Sequence, residues 1–215
     1  DGVYRNFDVY VDGEHVATRP YGYSTVTYDL SDYDVTGGET LAIRVNNDEY
    51  PHGRWYTGSG IYRNAYTVET DSLAVTPFGT DVRTTAVNAH RAEVQVLTEV
   101  ANDGSEGVDC ALETDILDAD GEVVATAGSE VAVGAGEAHE FEQRLSVADP
   151  DRWTLEDPTR YFVRSVVYRQ GGDGGGADAE PVDDYVTPFG IRTFEWTSDE
   201  GFYLNGDPVT MKGVN

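Results

Sequence analysis

Short segments in which apolar and polar residues alternate constrain the fold of this chain more than any other feature. Successive side chains of a β-strand point to opposite faces, so alternation gives one face to bury and one to expose. A helix would need apolar residues three and four positions apart instead. The segment AEVQVLTEV is the clearest case and is predicted to be a strand whose inward face is Ala92, Val94, Val96, Thr98 and Val100.

Similar segments recur along the chain, separated by turn residues. Asp12-Gly13, Gly37-Gly38 and Asn205-Gly206 are dipeptides that favour tight hairpin turns, because they adopt positive φ at low cost. No segment of useful length has the spacing of an amphipathic helix, so the chain is predicted to be all-β, with the strand spacing of sandwich folds. The other predicted strands are FDVYV (7–11), TVTYDL (25–30), TLAIRV (40–45), VDCALETDIL (108–117), FEQRLSV (141–147), YFVRSVVYR (161–169) and Val209 to Val214.

Two changes of composition indicate how the chain is divided. Near Asp71-Ser72 an aromatic, glycine-rich part gives way to plainer alternation, and near residue 190 the second set of strands ends. The segment GGDGGGADAE (171–180) is too rich in glycine to pack and is predicted to be a hairpin loop. The tetrapeptide TPFG occurs at 76–79 and at 187–190 with different flanks, so we interpret it as a coincidence and not as a repeat.

The chain is strongly acidic, with 40 acidic against 14 basic residues and a net charge of −26. Nucleic-acid binding depends on Lys and Arg that neutralise phosphates, so this balance argues against a nucleic-acid partner. Repulsion among the carboxylates destabilises a compact fold in dilute buffer, whereas at molar salt the screening length falls to about 3 Å. We therefore interpret the charge as an adaptation to high salt, that is, as a halophilic feature, and not as a ligand site.

No membrane or export signal is evident. No apolar run is long enough to span a bilayer, and the opening DGVYRNFDVY lacks the basic and apolar regions of a secretory signal. We expect no membrane partner and a cytoplasmic location, and both ends look like those of a piece cut from a longer chain. The single cysteine, Cys110, excludes an internal disulfide, and its alternation with Val108 and Leu112 predicts a buried thiol that is not a nucleophile.

Compact catalytic motifs are missing from the sequence. It contains no Gly-x-Ser-x-Gly elbow, His-Glu-x-x-His zinc motif, Cys-x-x-Cys pair or phosphate-binding loop. The four histidines are scattered, so no metal and no other cofactor is predicted. Hydrolysis of a glycoside uses two carboxylates about 5–9.5 Å apart, but spacing along the chain cannot select a pair from 40 acidic residues. Residue chemistry alone indicates two packed β-domains of unassigned function.

Several ordered segments, however, resemble a known family from one end of the chain to the other. They are RPYGYSTVTYDLSDY (19–33), LAIRVNN (41–47), RWYTGSGIYRN (54–64), DRWTLEDPTRYFVRSVVY (151–168), TPFGIRTFEW (187–196) and GFYLNGDPVTMKGVN (201–215). Together they are similar to glycoside hydrolase family 2, the group of β-galactosidases, β-glucuronidases and β-mannosidases. In detail they are most similar to its β-galactosidase branch.

This resemblance implies a three-part architecture. Residues 1–71 would be the C-terminal part of a jelly-roll sugar-binding domain, residues 72–191 an immunoglobulin-like β-sandwich, and residues 192–215 the start of a (β/α)₈ barrel with VTMKGVN as its first strand. In this family the carboxylate pair of the retaining mechanism lies on later barrel strands. The resemblance therefore implies a non-catalytic portion of a hydrolase of terminal β-glycosidic bonds. It should contain no catalytic residue and be inactive by itself.

The resemblance also implies a loop that contacts sugar. In the family, the loop before the segment matching RWYTGSGIYRN reaches the mouth of the barrel, and here it contains Asn46, Asn47 and Asp48. Family members often have Asp-Asn where this chain has Asn46-Asn47, so an amide replaces the first acid. That replacement removes a charged contact at Asn46, while the Asn47 amide retains the ability to hydrogen-bond a sugar hydroxyl.

Three further residues are implied as sugar contacts. Arg54 offers directed donors and Trp55 an apolar platform for a sugar face, although packing is the stronger expectation for both. Asn215 would lie at the end of the first barrel strand, on the catalytic face of that architecture. Tyr56, Gly58, Gly60 and Arg63 of the same motif are expected to be structural.

Two functions remain open at the level of the sequence. One is a portion of a hydrolase whose partner is a β-glycoside and whose intact form could be a homo-oligomer. The other is a free-standing carbohydrate-binding or adhesion module of two sandwiches, which would fit the missing carboxylate pair but has no use for the barrel-like residues 201–215. A reading frame that continues past Asn215 with further barrel strands would favour the first.

Overall fold

The computed structural model of the chain describes residues 1–33, 35, 37–48, 57–170 and 179–213. In these residues all regular structure is antiparallel β-strand and none is helix, which confirms the prediction of an all-β chain. Accordingly, this part of the chain has no helix long and apolar enough to cross a membrane. The chain divides into two compact units, Asp1–Val68 (unit 1) and Glu69–Asn215 (unit 2). The division into three modules at 71 and 191 stays a prediction.

Unit 1 contains two small sheets. Strand β2 lies between β3 and β4 in one sheet, and β1 pairs with β5 in the other. Phe7, Val9 and Val11 are buried, so the apolar face of FDVYV packs inward as its alternation predicts. The turn between β2 and β3 is Asp12-Gly13, with φ of 47° and 88°. The strands are β1 (Val3–Tyr4), β2 (Phe7–Val11), β3 (Glu14–Arg19), β4 (Leu41–Val45) and β5 (Gly60–Ile61).

The prediction of a strand at 25–30 is wrong. Val26, Tyr28 and Leu30 are half-buried and the residues between them are exposed, so the side chains do alternate. The backbone of this segment nevertheless belongs to none of the described sheets. Alternation reports which side chains face the interior, but a strand also needs a neighbouring strand to accept its hydrogen bonds. The sequence pattern carries no information about that neighbour.

Unit 2 is built on a sandwich of two antiparallel sheets. One has the strand order β10-β7-β6 and the other β12-β11-β8-β9. The strands predicted at 92–100, 108–117, 141–147 and 161–169 all lie in these sheets and are confirmed, whereas neither β6 nor β9 was predicted. The strands are β6 (Leu73–Val87), β7 (Arg91–Asn102), β8 (Val108–Leu117), β9 (Val123–Val133), β10 (Glu137–Ala148), β11 (Tyr161–Arg169) and β12 (Glu180–Phe189).

The two sheets of the sandwich are held together by apolar side chains from both. All five residues of the face predicted for 92–100 are buried. One apolar cluster includes Val94, Ile116 and Val163, and a second includes Leu112 and Val167. Fully burying a side chain of this size stabilises the fold by roughly 1.5–3 kcal/mol, so these clusters supply the main driving force.

The predicted buried thiol is confirmed. Cys110 lies in the second apolar cluster with 1% of its surface exposed. Burial raises the pKa of its thiol to about 11, which keeps it protonated near neutral pH. The predicted hairpin between β11 and β12 is also present. Residues 171–178 of its loop lie outside the described residues.

The C-terminal part of unit 2 is a three-stranded meander of β13 (Phe194–Thr197), β14 (Gly201–Leu204) and β15 (Asp207–Val209). Asn205-Gly206 forms the predicted turn, with φ of 54° and 87°. The strand predicted from Val209 to Val214 is wrong over residues 210–213, because β15 ends at Val209. No described strand lies opposite 210–213, so their apolar pattern has no ladder to join.

Candidate functional site

The described part of the predicted sugar-contacting loop lies at one edge of the β3-β2-β4 sheet. Asn46, Asn47 and Asp48 directly follow β4. The amide of Asn46 donates to the carbonyl of Asn6 at 3.1 Å, and the amide of Asn6 donates to the carbonyl of Pro20 at 3.3 Å. These two bonds join the ends of all three strands. The loop therefore begins from an anchored backbone, and we name this place the asparagine edge.

The three loop residues differ in what they have left to bind a ligand. The Oδ1 of Asn46 accepts a bond from the amide of Asp48 at 3.1 Å, a local turn that occupies this side chain. Asn47 is half-buried, and its Oδ1 is buried without a hydrogen-bond partner among the described residues. Leaving such a group unpaired costs roughly 1–3 kcal/mol. Asn47 is thus the loop residue with unused hydrogen-bonding capacity.

Tyrosine rings accompany the asparagine edge, and sequence reasoning gave them no role. Tyr21 and Tyr23 follow Pro20 and have 56% and 51% of their surfaces exposed. The Tyr23 ring centroid lies 5.7 Å from that of Tyr21 and 5.2 Å from that of the buried Tyr4. Exposed aromatic faces with a hydroxyl at the rim suit the apolar face and hydroxyl groups of a sugar. The run PYGY in the segment 19–33 is the signal that could have indicated them.

Glycine allows the tyrosines to approach one another. A Cβ at Gly22 would lie 2.9 Å from the ring of Tyr4 and 2.9 Å from the carbonyl of Val3. The hydroxyl of Tyr62 donates to the carbonyl of Gly22 at 2.8 Å, and the amide of Tyr62 donates to the carbonyl of Gly2 at 3.1 Å. Through Tyr62, the described end of the segment RWYTGSGIYRN therefore holds the backbone at Gly22, between Tyr21 and Tyr23.

Only half of the six predicted contact residues can be located. Asn46, Asn47 and Asp48 meet at the asparagine edge, while Arg54, Trp55 and Asn215 lie outside the described residues. Of the four residues expected to be structural in the same motif, Gly60 has φ of 112° and pairs with Tyr4, and Tyr56 lies outside the described residues.

The acidic side chains with displaced pKa values do not have the character of a glycosidase acid. Bonds from the Ser31 side chain and amide lower the pKa of Asp29, the amide of Leu73 lowers that of Asp71, and Arg144 lowers that of Glu142. A general acid for glycoside hydrolysis needs the opposite displacement, so that it holds a proton near neutral pH. Within the described ranges, no group of three or more His, Cys, Asp and Glu could hold a metal ion.

Unit 2 contains a cleft of about 790 Å³ between β6, the segment 151–160 and residues 187–194. The guanidinium carbon of Arg192 lies 4.8 Å above the ring of Trp153. The amide of Trp153 donates to the carbonyl of Ile191 at 2.9 Å, and the side-chain amide of Asn205 donates to the carbonyl of Trp153, also at 2.9 Å. These contacts attach the segment 151–160 to residues that follow β12. They therefore give Trp153 a structural role.

Comparison with known proteins adds the following similarities. Residues 78–192 match the sequence model of glycosyl hydrolases family 2. The whole chain is 36% identical to part of a β-galactosidase of Bacteroides ovatus and covers 24% of it. It is 30% identical to part of a β-glucuronidase of Formosa agariphila, with 96% of this chain and 22% of that protein aligned.

Its structure is also similar to a solved one. A family 2 glycosyl hydrolase from Bacteroides cellulosilyticus superposes with a TM-score of 0.88 and 35% identity, over 99% of this chain and 28% of that protein. The chain thus spans about a quarter of the length of the relatives that it matches.

Proposed function

Because the chain belongs to glycosyl hydrolase family 2, we propose that it is a non-catalytic portion of an enzyme that hydrolyses terminal β-glycosidic bonds. The observation that carries the proposal is the combination of full coverage of this chain with coverage of only 24% of the β-galactosidase relative.

We propose that the substrate is a β-galactoside. The β-galactosidase of B. ovatus shares 36% of the aligned residues, compared with 30% for the β-glucuronidase of F. agariphila. The resemblance of the ordered motifs to the β-galactosidase branch favours the same sugar. We further propose that unit 1 is part of the jelly-roll domain, that the sandwich of unit 2 is immunoglobulin-like, and that residues after 192 lead into the catalytic barrel.

Within that enzyme, we propose that the asparagine edge contacts the sugar. Asn47 has a buried Oδ1 without a partner among the described residues, and a sugar hydroxyl can donate to it. Tyr21 and Tyr23 present exposed rings beside the same edge. The part of the edge in this proposal is to bind and orient the sugar.

The proposal is tested with the full-length protein in molar salt, assayed against aryl β-galactoside, β-glucuronide and β-mannoside. We expect the highest kcat/KM for the galactoside. A preference for the glucuronide would correct the sugar and keep the reaction class, while no hydrolysis of any of the three would overturn the proposal. Replacing Asn47 with alanine should raise KM for the preferred substrate about two- to tenfold, since one hydrogen bond to a neutral group is worth roughly 0.5–1.5 kcal/mol. The matched control, Asn64→Ala, alters an exposed side chain that bonds Tyr66 and should leave KM unchanged.

A carbohydrate-binding module is the second candidate. The exposed rings of Tyr21 and Tyr23 favour it, as does the buried Oδ1 of Asn47, which has no hydrogen-bond partner among the described residues. Galactose titrated into the 215-residue chain, followed by the chemical shifts of the asparagine edge, separates the two functions. Saturable binding by the chain together with an inactive full-length protein would support the module.

A further inference from the structure

Polar side chains interrupt the apolar inward faces near the middle of the unit 2 sandwich. On β7 the inward positions run from Val94 and Val96 to Thr98 and then Val100, so one threonine interrupts an apolar face. On each of the other central strands a polar side chain likewise lies between residues of the two apolar clusters. We call this set the polar layer: Thr80 on β6, Thr98 on β7, Gln143 on β10, Thr114 on β8 and Ser165 on β11.

The polar layer separates the two apolar clusters of the core. Along β11, Val163 belongs to the first cluster and Val167 to the second, with Ser165 between them. Along β8, Ile116 belongs to the first cluster and Leu112 to the second, with Thr114 between them. The interruption therefore occurs in both sheets and is a feature of the whole sandwich.

Every member of the polar layer has a buried oxygen that lacks a hydrogen-bond partner among the described residues. In the described part of unit 2 these are the only buried side-chain polar atoms without a partner: Oγ1 of Thr80, Thr98 and Thr114, Oε1 of Gln143 and Oγ of Ser165. Thr98 and Thr114 have 0% of their surfaces exposed, Ser165 has 1% and Gln143 has 4%. Buried polar groups in folded proteins are almost always hydrogen-bonded, to protein or to ordered water.

Register places four of these groups in two pairs, whereas Gln143 lies opposite Val96. Thr80 lies directly opposite Thr98, and Thr114 directly opposite Ser165. Side chains so paired have Cβ atoms about 4.5–5.5 Å apart. Gln143 crosses between the sheets, since its Nε2 donates at 3.3 Å to the carbonyl of Leu112 on β8. A carbonyl can only accept, which fixes this end of the amide as NH₂ and the other as the acceptor Oε1.

We propose that the polar layer is a binding site for ordered water that bridges the two sheets. Each hydroxyl can donate one bond and accept others, and the Oε1 of Gln143 can only accept. A water molecule offers two donors and two acceptors, so it can satisfy Gln143 and a hydroxyl of the facing sheet together. Direct bonds between paired hydroxyls within one sheet would leave the Oε1 of Gln143 unsatisfied. Buried waters typically make about three such bonds to otherwise unsatisfied groups.

The sign of a stability change tests this proposal. Thr98→Val and Thr114→Val each replace a hydroxyl with a methyl group of similar size. If water binds the hydroxyl, each variant loses bonds and its midpoint of urea unfolding falls. If the hydroxyl is merely unsatisfied, its removal relieves a penalty and the midpoint rises. The control is Thr126→Val, which removes an exposed hydroxyl bonded to Asp115 and should shift the midpoint less than either.

Coupling between the sheets and direct observation complete the test. The double variant Thr98→Val/Thr114→Val should lose less than the sum of the single losses, because groups that share a bridging water are coupled. A high-resolution crystal structure of the unaltered chain should show water within about 2.7–3.2 Å of at least two oxygens of the polar layer. Midpoints that rise in both single variants, or a crystal structure in which these oxygens bond only one another, would overturn the proposal.

Discussion

Replacing Asn102 with alanine should destabilise unit 2 by far more than a typical single substitution. Asn102 ends β7 and has 3% of its surface exposed. Its Nδ2 contacts three carbonyls, those of Glu106 at 2.8 Å, Val133 at 3.1 Å and Gly134 at 3.2 Å. Its Oδ1 accepts from the amide of Gly104 at 3.0 Å. One side chain therefore ties the turn between β7 and β8 to the end of β9.

The magnitude follows from what alanine leaves behind. A buried backbone group without its partner costs roughly 1–3 kcal/mol, and a typical hydrogen bond contributes about 1 kcal/mol net. The carbonyl of Val133 is buried with its residue, whereas Glu106 is exposed and its carbonyl can turn to water. The cost of leaving the carbonyl of Val133 unpaired and the partial loss of the other bonds together lower the free energy of unfolding by about 3 kcal/mol.

Cys110 provides an assay specific to unit 2. It is the single cysteine of the chain and is buried, so a thiol reagent such as Ellman's reagent modifies it only when unit 2 opens. When closing is faster than labelling, the rate follows the population of the open form. A loss of about 3 kcal/mol then accelerates labelling roughly 100-fold, since 1.4 kcal/mol corresponds to a factor of ten. The salt concentration, in the molar range, should be the same for every variant that is compared.

The matched control is Asn88→Ala. The Oδ1 of Asn88 accepts from the amides of His90 and Arg91 in an exposed turn, where water can replace it. Its loss should accelerate labelling by no more than about fivefold, within the range of about 1 kcal/mol for an exposed hydrogen bond. If Asn102→Ala is labelled no faster than Asn88→Ala, the reasoning about the buried carbonyl is refuted.

Three further changes have defined outcomes. Transfer from about 2 M to about 0.1 M NaCl should lower the thermal unfolding midpoint of the chain, because screening of its −26 charge weakens; a midpoint that rises on dilution would contradict the halophilic interpretation. The amide of Leu73 and the guanidinium of Arg169 lower the pKa of Asp71 from its ordinary value of 3.8, so its stabilising effect is present above that value and is lost as the pH falls through the lowered pKa. The stability difference between wild type and Asp71→Asn, measured by urea unfolding from pH 7 to pH 3, should therefore shrink towards acid, and a constant difference would refute it. Gly190→Ala would place a Cβ 2.9 Å from the Trp153 side chain, so it should shift the tryptophan emission and destabilise unit 2, while Gly128→Ala, with no atom within 4 Å, should do neither.

Alternation predicted the central strands of the sandwich well. It missed a largely exposed strand of the sandwich and predicted a strand in unit 1 that does not form. The bounds predicted for 108–117 and 161–169 coincide with β8 and β11, because each strand buries most of one face. Strand β9 escaped prediction because VVATAGSEVAV mixes small residues with few strongly apolar ones and is largely exposed. The segment 25–30 failed in the opposite sense, with clear alternation but no neighbouring strand.

The candidate site was less accessible to sequence reasoning, because it depends on contacts between distant residues. The resemblance directed attention to the loop at 46–48, but nothing in the pattern distinguishes Asn47, with its buried oxygen, from Asn46, whose side chain closes a turn. The tilted contact between the rings of Tyr23 and Tyr4 depends on how the chain returns to β1. Similarly, Thr98 was recognised as part of an inward face, but its pairing with Thr80 is set by strand register, which turns and bulges determine.

The central claim is that this chain supports the hydrolysis of a β-glycoside without performing it. The most direct test compares equal molar amounts of the full-length protein and the 215-residue chain in molar salt, with p-nitrophenyl β-D-galactoside as substrate. We expect release of nitrophenol by the full-length protein and none above the buffer rate by the chain. Turnover by the chain alone would show that the catalytic groups lie within it and would overturn its assignment as a non-catalytic portion.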